Sequence, residues 1–344
     1  MLGSPSRRRR GRRFHAAALL AIVAGAAALL AVGVATLAPQ PSVATTDPSD
    51  PLYVPTDRAV KLRLLERLPR PPQLLILGGS RATRFEPAYF EELTGLRAFN
   101  LAFQNGRPED AWAYVNVIHR RFPGTELRVV WFLHVEAFRK QGLSPGLLQN
   151  ESLSQWFPAA LIEAEGKKLP KSPAEVPEAR DLALTRFAPD GVVLRNRYDI
   201  AEESGRPLSR SVDWSIETAL ERYATGEASL YPRSQFYFEQ TLRLLSEMGT
   251  TQAVVLMPLH PRLLTAVRAA GWQKRHDEVV TYLAGIQGRY GFGLLDDSRL
   301  ASFGGDPQGF YDGFHIKRAN ARKLTRSVVA KLPGSFAEAG GMQR

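Results

Sequence analysis

The sequence predicts an α/β fold in which a parallel sheet of about five strands is covered on both faces by helices. Three observations predict it. Strand-like runs alternate with amphipathic helical stretches over most of residues 57–331. The first such run, Leu74-Leu75-Ile76-Leu77, is apolar at every position, as a parallel strand buried on both faces must be. The chain has no cysteine, so no disulfide scaffold competes with this reading, and no internal repeat is apparent.

Taken in order, helical spacing over Arg58 to Leu68 is stopped by Pro69-Arg70-Pro71-Pro72, because proline lacks the N–H that a helix interior needs. The first strand follows at Gln73 to Leu77, and Arg84 to Leu93 reads as a helix or turn region. A short strand at Leu96 to Ala102, a loop at Gln104 to Pro108 and a helix at Glu109 to Arg121 come next. Leu127 to Leu133, rich in β-branched and aromatic residues, is the most strand-like run in the chain. Residues 137–235 lack this alternation and read as an insertion or cap. The pattern resumes with a helix at Arg233 to Met248, a strand at Gln252 to Met257, a helix through Asp277 to Tyr290, a strand at Gly293 to Leu295 and a last helix at Ala319 to Lys331.

The N-terminus departs from the 44% hydrophobic, 23% charged average of the 344-residue chain. Six arginines lie between residues 7 and 13, and no charged residue occurs from Ala16 to Ala38. About 20 apolar residues span a bilayer, and flanking arginines hold their end in the cytoplasm. Residues 1–15 therefore read as a cytoplasmic basic segment, 16–38 as a single-pass anchor and 39–56 as a Pro/Ser/Thr-rich linker. A folded domain over 57–335 would lie outside the cytoplasm, and 336–344 is a tail. The competing reading, a cleaved signal peptide, normally has an apolar core of only about 7–15 residues. The arginine run supplies over half of the +11 formal charge. With no basic stripe interleaved with aromatics after it, no nucleic-acid partner is expected.

Two short motifs carry chemistry. In Gly78-Gly79-Ser80-Arg81, two glycines end the first strand and present a serine directly after it, where a nucleophile would stand. In Tyr311-Asp312-Gly313-Phe314-His315, the carboxylate and the imidazole are three residues apart. That is near enough for Asp312 to accept from one ring nitrogen while the other faces a serine, the arrangement that activates a hydroxyl. Each residue alone has a plainer role: Ser80 as a helix N-cap, Asp312 as a turn former and His315 as a backbone-satisfied histidine. His260, at a strand's carboxyl end in Met257-Pro258-Leu259-His260-Pro261, is either a substrate contact or a turn histidine. His134, His260 and His315 include no close ligand pair, so no metal is expected, nor any other cofactor. Gly78-Gly79-Ser80 lacks the Lys-Ser/Thr ending of a phosphate loop.

In order and spacing these residues resemble the SGNH (GDSL-like) hydrolases. The nearest likeness is to the divergent, membrane-anchored branch that includes cell-envelope O-acylation proteins such as those of alginate acetylation and teichoic-acid D-alanylation. Ser80 stands at the nucleophile block, Asn100-Leu-Ala-Phe-Gln-Asn-Gly106 resembles the second block, and Asp312-Gly-Phe-His315 followed by Asn320 resembles the closing block. The resemblance implies a three-layer α/β/α, flavodoxin-like domain. Ser80 would be the nucleophile, His315 the general base and Asp312 its orienting carboxylate. The oxyanion would be held by the Ser80 and Gly106 N–H groups, with Asn105 as a side-chain donor. It further implies an esterase or O-acyltransferase, with an envelope glycan or acyl donor and a membrane-bound acyltransferase as partners. The alternative is a non-catalytic glycan-binding or scaffold protein that keeps the fold. Two positions depart from the family pattern: Gly79 replaces an acidic residue, and Leu133-His134-Val135-Glu136 lacks an asparagine. Either His134 or Glu136 lines the site there, or that position is catalytically empty.

Overall fold

The computed structural model describes residues 56–169, 177–224 and 230–336. The basic N-terminus, the expected anchor, the expected linker up to Pro55 and the tail from residue 337 lie outside the described residues. Among the described residues no helix is long and apolar enough to cross a membrane.

The chain opens with α1 (Asp57–Glu66), β1 (Leu74–Gly78), α2 (Pro87–Thr94), β2 (Ala98–Ala102), α3 (Pro108–Arg121) and β3 (Arg128–Leu133). Short helices α4 (Pro145–Leu148), α5 (Glu151–Ser154), α6 (Ala159–Gly166) and α7 (Pro177–Ala183) follow. Next come a two-stranded antiparallel ribbon of β4 (Arg186–Phe187) and β5 (Val193–Arg195), and then α8 (Arg197–Glu203) and α9 (Leu208–Ala224). The chain closes with α10 (Pro232–Glu247), β6 (Thr251–Leu256), α11 (Pro261–Val267), α12 (Gln273–Tyr290), β7 (Gly293–Asp296) and α13 (Arg318–Lys331).

β1, β2, β3, β6 and β7 form one parallel sheet in the order β2-β1-β3-β6-β7. Counting only these five, the order is 2-1-3-4-5, that of a flavodoxin-like doubly wound sheet, whose ligands gather where the winding reverses between its first and third strands. Both faces are covered because the strand side chains alternate. Leu75, Leu77, Val129, Trp131, Val254 and Leu256 enter one apolar cluster with α1, α3, α10 and α12. Leu74, Ile76, Val130, Phe132, Ala253 and Val255 enter another with α2 and α13. This double burial is why the central strands read as unbroken apolar runs.

Residues 137–235, expected as an insertion or cap, hold short elements that do two different things. Leu143, Leu147, Leu148, Leu153 and Phe157 join the first sheet-face cluster. α8 and α9, in contrast, reach the closing motif through Tyr198 and Ser215.

α1 also holds a charged core that helical spacing alone did not foretell. Arg58, fully buried, grips Asp110 with two hydrogen bonds of 2.9 and 3.0 Å and donates to the Gln104 carbonyl. Lys61, also fully buried, donates to the Asn100 carbonyl, to Asn100 Oδ1 and to the Ala102 carbonyl. Burial lowers the Lys61 ammonium to about 7, and nearby Asp57 and Asp190 oppose the shift. Together these groups pin the end of β2 and the loop after it, next to Ser80.

Candidate active site

Ser80 begins a 3-10 turn (Ser80–Ala82) directly after β1. Glycine is required at 78: its φ is +156°, and a Cβ there would lie 2.7 Å from both Ala82 Cβ and the Phe132 carbonyl oxygen. The turn is locked from β2 by fully buried Asn100, whose Nδ2 donates to the Ala82 and Phe85 carbonyls at 3.0 and 2.8 Å. Ser80 does not spend its hydroxyl on a helix cap. Its Oγ lies 2.9 Å from His315 Nε2.

The closing motif holds the histidine from behind. His315 Nδ1 lies 3.0 and 2.9 Å from the two Asp312 carboxylate oxygens. Asp312 Oδ1 also accepts the Phe314 and His315 N–H groups at 2.7 and 2.8 Å. Burial works to raise the Asp312 carboxyl, but the imidazole and these N–H donors outweigh it and hold it below its ordinary value. An ionised carboxylate only accepts, so Nδ1 carries the proton and Nε2 presents its lone pair to Ser80. The motif is held in place by Ser215 Oγ of α9, which accepts the Gly313 N–H at 3.0 Å.

The second block plays a different part from the one expected. The Gly106 N–H already donates to the Phe103 carbonyl at 3.0 Å, so it is not an oxyanion donor here. Glycine is needed at 106 for closeness, because a Cβ would lie 2.4 Å from the Gly78 carbonyl oxygen. Asn105 sits beside it at φ +52°, exposed and on the cleft wall. The Ser80 N–H opens its 3-10 turn, where the first amides have no acceptor within the turn, and it stays suited to an oxyanion.

At the end of β3, His134 and Glu136 both line the cleft. Glu136 Oε2 accepts from Arg81 at 3.1 Å and from His134 Nδ1 at 3.2 Å, and Oε1 accepts from Tyr223. Burial works to raise Glu136, but Arg81 and His134 outweigh it and hold it well below its usual range. Burial lowers His134 to about 4 despite Glu136. His134 is therefore neutral, donates from Nδ1 and offers Nε2 only as an acceptor. It cannot replace the family's asparagine as an oxyanion donor, but it suits a substrate hydroxyl.

His260 is not on the cleft lining. Its Nδ1 accepts the Arg262 N–H at 3.2 Å to cap α11, its ring packs edge-on to Phe310, and its own N–H donates to the Gly313 carbonyl at 3.0 Å. It supports the closing motif from beneath. Among the described residues no three His, Cys, Asp or Glu side chains gather as metal ligands.

Several cleft residues were not anticipated from the sequence. The cavity, about 160 Å³, is lined by Arg81, Arg107, Arg139, Arg197 and Arg222 against only Glu136 and Asp312 as acids. Tyr198 of α8 stacks on the His315 ring at 4.3 Å, and its hydroxyl lies 3.0 Å from Nε2. α8 is fixed by a local signal, the Asn196/Asp199 capping box, and by Arg84, which donates to the Val193 and Leu194 carbonyls and to Asn196. The capping box was readable as a helix start. Nothing local says that its second residue meets a histidine 117 positions away.

Ser80, His315 and Asp312 thus stand in hydrogen-bonded series at the switch point of a doubly wound parallel sheet, an arrangement that can activate a serine hydroxyl. Compared with known proteins, the chain matches no family model and no curated protein.

Proposed function

We propose that this protein is an SGNH-like serine esterase or O-acyltransferase that works through an acyl-enzyme on Ser80. The observation that carries the reading is the series Ser80 Oγ to His315 Nε2 at 2.9 Å and His315 Nδ1 to Asp312 at 2.9 Å. His315 takes the Ser80 proton as Oγ attacks an ester carbonyl, Asp312 orients the ring and stabilises the imidazolium, and the proton then passes to the leaving oxygen as the ester C–O bond breaks. The Ser80 N–H, with Asn105 beside it, receives the oxyanion. The order of the motifs along the chain and the 2-1-3-4-5 sheet support the family reading.

The substrate we assign is an anionic envelope glycan or a related acidic carbohydrate. Five arginines line this small cleft, Arg81 paired to Glu136 and Arg197 to Asp181, and the excess of positive charge that remains favours a ligand with carboxylate or phosphate groups. The apolar run at 16–38 supports a membrane anchor with the domain outside the cytoplasm, beside a membrane-bound acyl donor system. One observation favours the rival reading of a glycan-binding scaffold: the Gly106 N–H is engaged elsewhere, which leaves fewer backbone oxyanion donors. Turnover of a chromogenic activated ester separates the two. Ser80→Ala abolishes it if Ser80 is the nucleophile, and turnover equal to that of the parent protein defeats the proposal.

A further inference from the structure

Behind the catalytic cleft lies a second, larger groove of about 780 Å³. Arg197, Tyr198, Trp214 and Asp312 line both spaces, so they form the wall between them. The rest of the lining carries Arg206, Arg210 and Lys317, the last paired to Glu202 at 2.6 Å, and Trp214 is 59% exposed.

At this wall, one atom is claimed twice. Nδ1 of His315 is committed to Asp312, so Nε2 has a single lone pair. Two hydroxyls approach it, Ser80 Oγ at 2.9 Å and Tyr198 Oη at 3.0 Å. Arg197 Nη2 donates to Tyr198 Oη at 2.9 Å, which leaves the phenol proton to point at Nε2. Burial and the nearby Asp312 charge raise the Tyr198 phenol above its ordinary value, so that proton stays on. Once Ser80 is acylated it has no proton to donate, and Tyr198 alone holds the base.

We propose that the 780 Å³ groove binds the acyl acceptor, an anionic carbohydrate. In this proposal Tyr198 Oη holds the seat at His315 Nε2 that the acceptor hydroxyl must take. The inference rests on the Ser80 acyl-enzyme reading and deepens it from acyl chemistry in general to transfer over hydrolysis. In the second step the acceptor oxygen bonds to the acyl carbon and its proton passes to Nε2. The intermediate then collapses, the bond from the acyl carbon to Ser80 Oγ breaks, and the Nε2 proton returns to Oγ. Water would follow the same course, but it brings no binding energy with which to displace a stacked, Arg197-held tyrosine. A carbohydrate seated against Trp214 and the arginines brings that energy.

The test loads the full-length protein with p-nitrophenyl acetate and follows acetyl-Ser80 by rapid-quench intact mass. The parent protein should hold acetyl-Ser80 in buffer and discharge it faster with a uronic-acid oligosaccharide or a phosphorylated sugar than with a neutral oligosaccharide of equal length. The faster of the two anionic arms identifies carboxylate or phosphate as the charge recognised. Tyr198→Phe keeps the stacked ring and frees Nε2 for water, so it should shorten the lifetime in buffer by roughly tenfold or more. Trp214→Ala should blunt the acceleration by the anionic sugar. An unchanged or longer lifetime in Tyr198→Phe, or equal discharge by neutral and anionic sugars, overturns the proposal while leaving the Ser80 nucleophile in place. If the parent protein forms no acetyl-Ser80, the acyl-enzyme reading and this proposal fall together.

Discussion

Gly79 and His134 share one space: a Cβ built on Gly79 would lie 3.1 Å from His134 Nε2. The glycine before the serine and the histidine after β3 are thus a single arrangement. The imidazole fills the room that a side chain at 79 would use.

This contact predicts strong coupling between the two positions. Gly79→Ala should slow labelling of Ser80 by a serine-directed phosphonate, because the ring must shift against Glu136. In a His134→Ala background the same change should cost almost nothing. A double-mutant cycle should return a coupling of about 0.5–3 kcal/mol in transition-state free energy. Additive effects would show that the ring moves freely.

Asp312→Asn should lower ester turnover by about 10⁴. The amide can donate to Nδ1, which turns the proton onto Nε2 and removes the lone pair that Ser80 needs. Circular dichroism should show the fold retained, since Oδ1 still accepts the Phe314 and His315 N–H groups. The check is kcat, with a phosphonate-labelling rate as an independent readout.

The arginines of the cleft predict a dependence on substrate charge. Arg222→Gln should raise KM for an acidic ester several-fold at low ionic strength and leave KM for a neutral ester nearly unchanged. Salt should shrink the difference, because exposed charges are screened beyond about 8 Å at physiological ionic strength. Equal effects on both esters would remove the electrostatic argument.

Stability should vary with pH through a second histidine, far from the cleft in sequence. His276 of α12 lies 3.0 Å from Asp277 through Nδ1 and 3.0 Å from Asp296 through Nε2. Burial works against its charge, but the two carboxylates prevail and raise it above its ordinary value. Burial works to raise Asp296, but its hydrogen bonds to His276 and Ser298 prevail and lower it to about 2. The histidine's contribution is therefore full below about pH 6.5, the unfolded value, and fades as pH rises through its higher folded value. The Asp296 contribution holds above about pH 4 and is lost as pH falls toward 2. The Tm gap between the parent protein and His276→Gln should be widest near pH 5 to 6 and narrow toward pH 9. A gap independent of pH would mean that the imidazole packs without its charge mattering.

The strands of the sheet were legible because burial on both faces leaves no polar alternation to blur them, and β1, β3 and β6 fall within a residue or two of their expected bounds. Asp312 and His315 were legible for a local reason, since their contact spans three residues within one turn. The second block was legible as a motif but not in its role, because whether the Gly106 N–H is free depends on how the Phe103 carbonyl folds back over it. Tyr198 and the cleft arginines were hidden. Tyr198, Arg197 and Arg222 come from elements in 177–224 whose position is set by side-chain ties such as Arg84 to Asn196 and Ser215 to Gly313, while Arg81, Arg107 and Arg139 come from the turns after β1, β2 and β3, and no periodicity marks any of them. The roles of Asp57, Arg58 and Lys61 were hidden as well: helical spacing marks their helix, but not that each is buried and spent on β2 and the loop beside Ser80.

The most direct test of the central claim is to expose the full-length protein to an activated ester, quench it in acid and map the acyl group by peptide mass. The Ser80 to His315 to Asp312 series predicts one acyl group per chain, on Ser80, lost in Ser80→Ala and strongly slowed in His315→Ala. Acylation elsewhere, or an equal yield in Ser80→Ala, would contradict it.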